Sequence, residues 1–213
     1  MREQEARTAL AELARRLDRD GLNHGATGNL SVRIERGILV TPTGIPGAAL
    51  RPEHCVALAD DGTPLVDRAL APTSEWRLHV ALHRRGARAV VHTHSLEATA
   101  AATLGRPVPG VHYVVARFGG TTLPCAPYAT YGSQELADAV ATTLGDGFTA
   151  CLMANHGAVA VAPDLETAAS LAIDVEWLCG VWRRARQLGD PTILDDAEIA
   201  RVADRLATYG QPR

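Results

Sequence analysis

A chain of 213 residues, 46% hydrophobic and 21% charged, has the size and make-up of one globular domain that buries its own core. Its 21 basic residues against 24 acidic ones leave a net charge of −3, which excludes nucleic-acid binding through bulk charge. Every basic residue is arginine, so a Schiff-base lysine, a pyridoxal-phosphate aldimine and a P-loop lysine are all excluded.

Ala6, Leu10, Leu13 and Leu17 mark one apolar stripe on a first helix, which Gly21 ends. That segment has no apolar signal core, no later run is long and apolar enough to span a membrane, and Cys55, Cys125, Cys151 and Cys179 form no CxxC pair. These features predict a cytoplasmic protein with reduced thiols and no membrane partner. GLNHGATGN reads as a loop, followed by a strand over 30–34, a turn at Glu35-Arg36-Gly37 and a return strand over 38–41. TPTGIPG is too rich in Pro and Gly for a regular element. A second strand pair is predicted over 55–58 and 63–65, around Asp60-Asp61-Gly62.

Pro72-Thr73-Ser74 opens a helix to about Arg85, with Thr73 as its N-cap and Glu75 in its first turn. AVVHTH, residues 89–94, reads as a buried strand, and 96–104 as a helix. A short strand follows Gly119-Gly120 up to Pro124, then a helix over Gln134–Leu144. A strand over 149–154 stops at Asn155-His156-Gly157 and an AVAV strand follows. Asp164 caps a long helix to about Leu188, and Asp195 with Glu198 forms the capping box of a last helix ending near Tyr209-Gly210. The pattern predicts a single mixed α/β domain over 1–213 with a mostly antiparallel sheet.

His92 and His94 are two apart on a strand, so both imidazoles face the same side and can share a metal ion. His156 ends a second strand, and Gly157 lets backbone pass close beside it. Three neutral imidazoles suit Zn²⁺ and leave a position open for substrate or a carboxylate, with Mn²⁺ or Co²⁺ able to use the same ligands. His79 and His83 also have helical metal spacing, but they lack the Glu of HExxH and precede Arg84-Arg85, which reads as a solvated or packed helix face. Thr27-Gly28-Asn29, Thr43-Gly44 and Thr73-Ser74 offer backbone N–H groups and short side chains that together can cradle a phosphate without lysine. Glu75, beside the third loop, is either a helix-start carboxylate or a general base.

The order GLNxGxxGNxSVR, TPTGIP, PTSEWRxH, AVVHxH, PCAPYATxG and the NHG strand end resembles the class II aldolase/adducin family, and within it the fuculose-phosphate aldolases, over nearly the whole chain. The resemblance implies a three-layer α/β/α sandwich around a mostly antiparallel central sheet. It implies a homotetramer with active sites at subunit interfaces. It places the zinc ligands at His92, His94 and His156, with Glu75 both ligating the resting metal and acting as acid/base. The phosphate pocket falls on Gly28, Asn29, Thr43, Gly44, Thr73 and Ser74, and the proton donor to the aldehyde oxygen on Tyr113 of a neighbouring subunit. Tyr131 and Tyr209 fall at the aldehyde end. Thr73 and Tyr131 stand where close aldolases carry Ser and Phe, and Asn155 where they carry His or Gln; these departures bear on the aldehyde.

The implied reaction is reversible cleavage of a ketose 1-phosphate, L-fuculose 1-phosphate or a related deoxy-ketose phosphate, to dihydroxyacetone phosphate and an aldehyde. With no lysine in the chain, the carbanion beside the ketone needs a metal as its electron sink. A methylthioribulose-1-phosphate dehydratase and a pentulose-phosphate 4-epimerase share the same frame, and adducin-type members are interaction modules without catalysis. The intact set of three histidines and Glu75 favours an enzyme.

Overall fold

The structure, a computed structural model, describes residues 2–66 and 70–210. Nine strands form in chain order: β1 (Asn29–Ile34), β2 (Gly37–Val40), β3 (Val56–Leu58), β4 (Ala89–Thr93), β5 (Val108–Pro109), β6 (Thr122–Leu123), β7 (Cys125–Ala126), β8 (Ala150–Met153) and β9 (Gly157–Ala162). Among the described residues six α-helices accompany these strands: α1 (Glu3–Arg19), α2 (Trp76–Arg84), α3 (Leu96–Ala102), α4 (Gln134–Leu144), α5 (Leu165–Leu188) and α6 (Asp196–Leu206). Seven strands make one sheet in the order β3-β2-β1-β4-β9-β8-β7, antiparallel except for the β7–β8 pair. β5 and β6 pair separately.

The period of two along the strands divides the core between the two faces of the sheet. Leu30, Val32, Ala89, Val91, Ala158 and Ala160 pack with apolar residues of α1, α3 and α5. Val90, Cys151, Met153 and Val159 pack with Leu78 and Leu82 of α2 and Leu136 and Val140 of α4. The result is the expected α/β/α arrangement. His92 shares the face of Val90, so it points toward α2, and Asn29 of β1 lies directly opposite it in the antiparallel register. Asn29, Ser31 and Arg33 therefore turn a polar row toward α2 while Leu30, Val32 and Ile34 enter the other core.

Several boundaries differ from expectation, three of them around the loops and the C-terminal end. The hairpin partner over 63–65 reduces to one bridge, Leu58 to Pro64, closed by Ala59 N–H to Thr63 O at 2.8 Å and Leu65 N–H to Ala57 O at 2.9 Å. α2 starts at Trp76 rather than after Thr73: Glu75 is its N-cap residue, and its side chain makes no capping bond because it is directed elsewhere. Thr73 instead accepts the Glu75 N–H on its hydroxyl at 3.3 Å. α6 stops at Leu206, three residues short of Tyr209. The N-caps at Asp164 and Asp195 form, each carboxylate accepting a backbone N–H three residues on, but the reciprocal half of the expected capping box does not, because the Glu198 carboxylate pairs with Arg201. Cys55, Cys151 and Cys179 are buried free thiols, and burial pushes the Cys55 thiol up to about 11.

Candidate metal centre and substrate cleft

β4, the β8–β9 hairpin and the start of α2 meet at one end of the sheet. The hairpin loop 154–156 holds Asn155 in the left-handed region at φ 54°, with its N–H bonded to the Ala102 carbonyl at 3.2 Å. This brings His156 round to the face that carries His92 and His94. The three imidazole centroids lie 4.7–4.9 Å apart. Glu75 Oε2 is 3.0 Å from His92 Nε2 and Glu75 Oε1 is 3.3 Å from His156 Nε2. One ligand atom from each of the four residues falls within 4.8 Å of all the others.

Gly157 makes the hairpin's approach possible. A Cβ there would sit 2.3 Å from the Thr93 carbonyl oxygen. Gly157→Ala should therefore push β9 off β4 at the histidine end, costing roughly 2–4 kcal/mol of stability. A denaturant midpoint measured in the presence of chelator checks this, and an unchanged midpoint would contradict it.

The donor set fits a divalent ion. His92 Nδ1 donates to the Ala158 carbonyl at 2.9 Å, which leaves its Nε2 lone pair facing His94 Nε2 at the same separation of 2.9 Å. Glu75 Oε1 is buried and accepts no hydrogen bond. Converging lone pairs and an orphaned carboxylate oxygen are what a cation satisfies. Without one, burial resists ionisation of Glu75, but the charge and hydrogen bond of His92, the charge of His156 and the Asn29 amide hold its carboxyl well below the usual range. Burial resists protonation of His92, and the Glu75 charge more than offsets it and raises that imidazole. Burial and the neighbouring imidazoles push His94 to about 3 and His156 to about 4.

Beside the histidines opens a cleft of about 290 Å³. Gly28, Asn29, Thr43, Gly44, Thr73 and Ser74 all line it, with Glu75, His94 and His156 at its inner end. Two backbone bonds staple the loops together, Thr43 N–H to Ala71 O at 3.1 Å and Thr73 N–H to Thr41 O at 3.0 Å. No arginine is among the described lining residues, so an anion here would be held by neutral donors.

Against this geometry, the class II aldolase and adducin N-terminal domain model matches residues 8–182. The chain belongs to that family. It is 43% identical over 197 residues to the L-fuculose phosphate aldolase of Escherichia coli strain K12, covering 91% of this chain and 90% of the relative. It is 41% identical over 206 residues to the 5-methylthioribulose-1-phosphate/5-deoxyribulose-1-phosphate aldolase of Rhodospirillum rubrum, covering 96% and 92%. A solved L-fuculose 1-phosphate aldolase superposes with a TM-score of 0.90 at 31% identity over 95% of this chain and 96% of that one. The superposition shows that the chain shares the fold of that aldolase.

The remaining expected residues divide. Tyr131 lines the cleft. Tyr113 and Tyr209 do not; they stand 52% and 86% exposed on the single chain, Tyr113 stacked on His112 with centroids 4.2 Å apart. Asn155 also lines the cleft, as does Tyr128, which the sequence reading did not single out. Asn23 Oδ1 accepts the His94 N–H at 3.1 Å and lies where a Cβ on Gly28 would fall, so Gly28 (φ 71°) is required twice over. His79 and His83, read as a solvated or packed face, prove buried: both bond Ser31 Oγ, at 2.6 and 2.7 Å, and burial pushes them to about 3 and about 4. Among the described residues no helix is long and apolar enough to cross a membrane.

Proposed function

We propose that this protein is a zinc-dependent aldolase that reversibly cleaves a ketose 1-phosphate to dihydroxyacetone phosphate and an aldehyde. It works as one domain over 1–213 in a cytoplasmic homotetramer. The observation that carries the reading is the position of Glu75. One carboxylate oxygen takes the Asn29 amide at the phosphate-loop end, and both oxygens lie against the histidine cluster. A sugar phosphate seated in the loops thus has its carbons beside a buried carboxylate.

A divalent ion held by His92, His94 and His156, with Glu75 as a further ligand until substrate displaces it, would supply Lewis-acid polarisation of the ketone and charge stabilisation worth several kcal/mol in such reactions. The protein does the rest. The hydroxyls of Thr43, Thr73 and Ser74 and the amides of Gly44 and Asn29 hold the phosphate, so binding energy remote from the reacting carbons orients them. In the synthetic direction the Glu75 carboxylate removes a proton from the carbon beside the ketone, and Tyr113 of a neighbouring copy donates its phenolic proton to the aldehyde oxygen as the carbon–carbon bond forms. Cleavage runs both transfers in reverse, and one proton passing between Glu75 and Tyr113 resets both groups. The burial of Glu75, at 4% exposed, keeps water from competing for its proton. Tyr131 and Tyr209 stand at the aldehyde end.

The 43% and 41% identities to aldolases of two named specificities make 5-deoxyribulose and methylthioribulose 1-phosphates the second substrate reading. The test is a product assay on zinc-loaded protein with L-fuculose 1-phosphate, 5-deoxyribulose 1-phosphate, methylthioribulose 1-phosphate and L-ribulose 5-phosphate. Release of dihydroxyacetone phosphate is expected from at least one 1-phosphate, and the fastest names the aldehyde. Water loss or epimer formation without release would overturn the aldolase reading. Tyr113→Phe should slow aldol turnover more than proton exchange into dihydroxyacetone phosphate; equal losses in both assays would remove Tyr113 from its role.

A further inference from the structure

We propose that Ser31, His79 and His83 are positioning residues, a buried relay that holds the Asn29 side chain with its NH2 group toward Glu75 and the cleft. The inference rests on the acid/base reading of Glu75 and deepens it. Four contacts run in series through the layer between β1 and α2. Asn29 Nδ2 donates to Glu75 Oε2 at 2.9 Å, and Asn29 Oδ1 lies 2.6 Å from His79 Nε2. His79 Nδ1 lies 2.6 Å from Ser31 Oγ, which lies 2.7 Å from His83 Nε2. Ser31 and His79 are completely buried, and His83 and Asn29 are 3% and 7% exposed.

The hydrogens can be assigned by following the chain from its charged end. An ionised carboxylate only accepts, so the amide NH2 must face Glu75 and Oδ1 must face His79. His79 then has to donate from Nε2, which leaves its Nδ1 to accept the Ser31 hydroxyl. Ser31 Oγ in turn accepts from His83 Nε2. An asparagine amide has two orientations of nearly equal shape. The wrong one would turn a carbonyl oxygen on both the carboxylate and an incoming phosphate. His79 Nε2–H selects the right one, and the relay selects the His79 tautomer. Two neutral rings and one hydroxyl bring three hydrogens. The His83 Nδ1 contact with the Ala87 carbonyl, 2.8 Å, would need a fourth, so one of the two contacts that His83 makes goes without a hydrogen, at the end of the relay away from Glu75.

The test compares His79→Leu, His79→Gln and Ser31→Ala in the full-length protein. Zinc affinity is read by chelator competition, and kcat and KM are read on the best ketose 1-phosphate. A glutamine amide can donate where His79 Nε2 does, whereas leucine only fills space. His79→Leu should weaken zinc by about 10–100-fold, as loss of an outer partner does, with KM raised and kcat lowered together. His79→Gln should stay within about threefold of the parent. Ser31→Ala, a small change that keeps both rings, should move the same readouts in the same direction by less, and it carries the test if His79→Leu does not fold. Equal losses in the leucine and glutamine variants, or unchanged zinc affinity in Ser31→Ala, would overturn the relay. If no substrate is cleaved, the aldolase reading fails, while the order of zinc affinities still decides the relay.

Discussion

Glu75→Gln should lower aldol turnover by about 10²–10⁴-fold, the usual worth of general acid/base catalysis, while the protein still binds its metal. The glutamine carbonyl can keep the Asn29 amide bond that Oε2 now accepts at 2.9 Å, so the loops should hold their shape. Three imidazoles remain for the ion. What disappears is a group able to carry a proton to and from carbon. The diagnostic measurement is exchange of the carbon-bound proton of dihydroxyacetone phosphate with deuterated solvent, which asks for Glu75 alone and needs no aldehyde. Exchange should vanish in the variant, with metal content by mass spectrometry near that of the parent. Exchange at the parent rate would remove Glu75 as the base. Loss of both metal and exchange would reduce it to a ligand.

His94→Ala should weaken metal binding by more than the roughly 10–100-fold that loss of an outer partner costs, and abolish activity at ordinary metal concentrations. His94 is the choice among the three because removing it should spare the fold. Its ring touches the other two imidazoles, whereas its backbone N–H is held independently by Asn23. His92 is different: it is fully buried, bonded to the Ala158 carbonyl and paired with Glu75, so its loss would also leave a buried carboxylate without that partner. A melting temperature near the parent's, together with metal-free protein after dialysis, is the expected result for His94→Ala. Retained metal would show that the cluster does not need this residue.

Much of this site was legible in the sequence for a simple reason. His-x-His on a strand fixes both rings on one face without any tertiary knowledge, and β4 runs as read, ending one residue earlier than expected. The glycine-rich loops and the Asp164 and Asp195 caps were equally local. What was not legible depends on neighbours in space. Glu75 reads locally as either a helix-start carboxylate or a general base, and what was not legible is the observation that separates the two, its carboxylate lying against histidines 17 and 81 residues on. His79 and His83 stand just before Arg84-Arg85 and so read as surface or packing. They are buried because Asn29 and Ser31 give β1 a polar face under α2. The alternation of Asn29, Ser31 and Arg33 with Leu30, Val32 and Ile34 was a signal for that face, and it was available before the fold was known. Tyr113 and Tyr209 belong to a third class. They stand exposed and outside the cleft, so nothing in the single chain ties them to the site.

The central claim is that a metal held by Glu75 and three histidines drives aldol cleavage of a ketose 1-phosphate. Titrating Zn²⁺ into chelator-stripped protein while following dihydroxyacetone phosphate release from L-fuculose 1-phosphate and 5-deoxyribulose 1-phosphate tests it most directly. Release should start near zero, rise linearly and break at one ion per chain. Full release from stripped protein, or none from zinc-saturated protein with either substrate, would contradict the account.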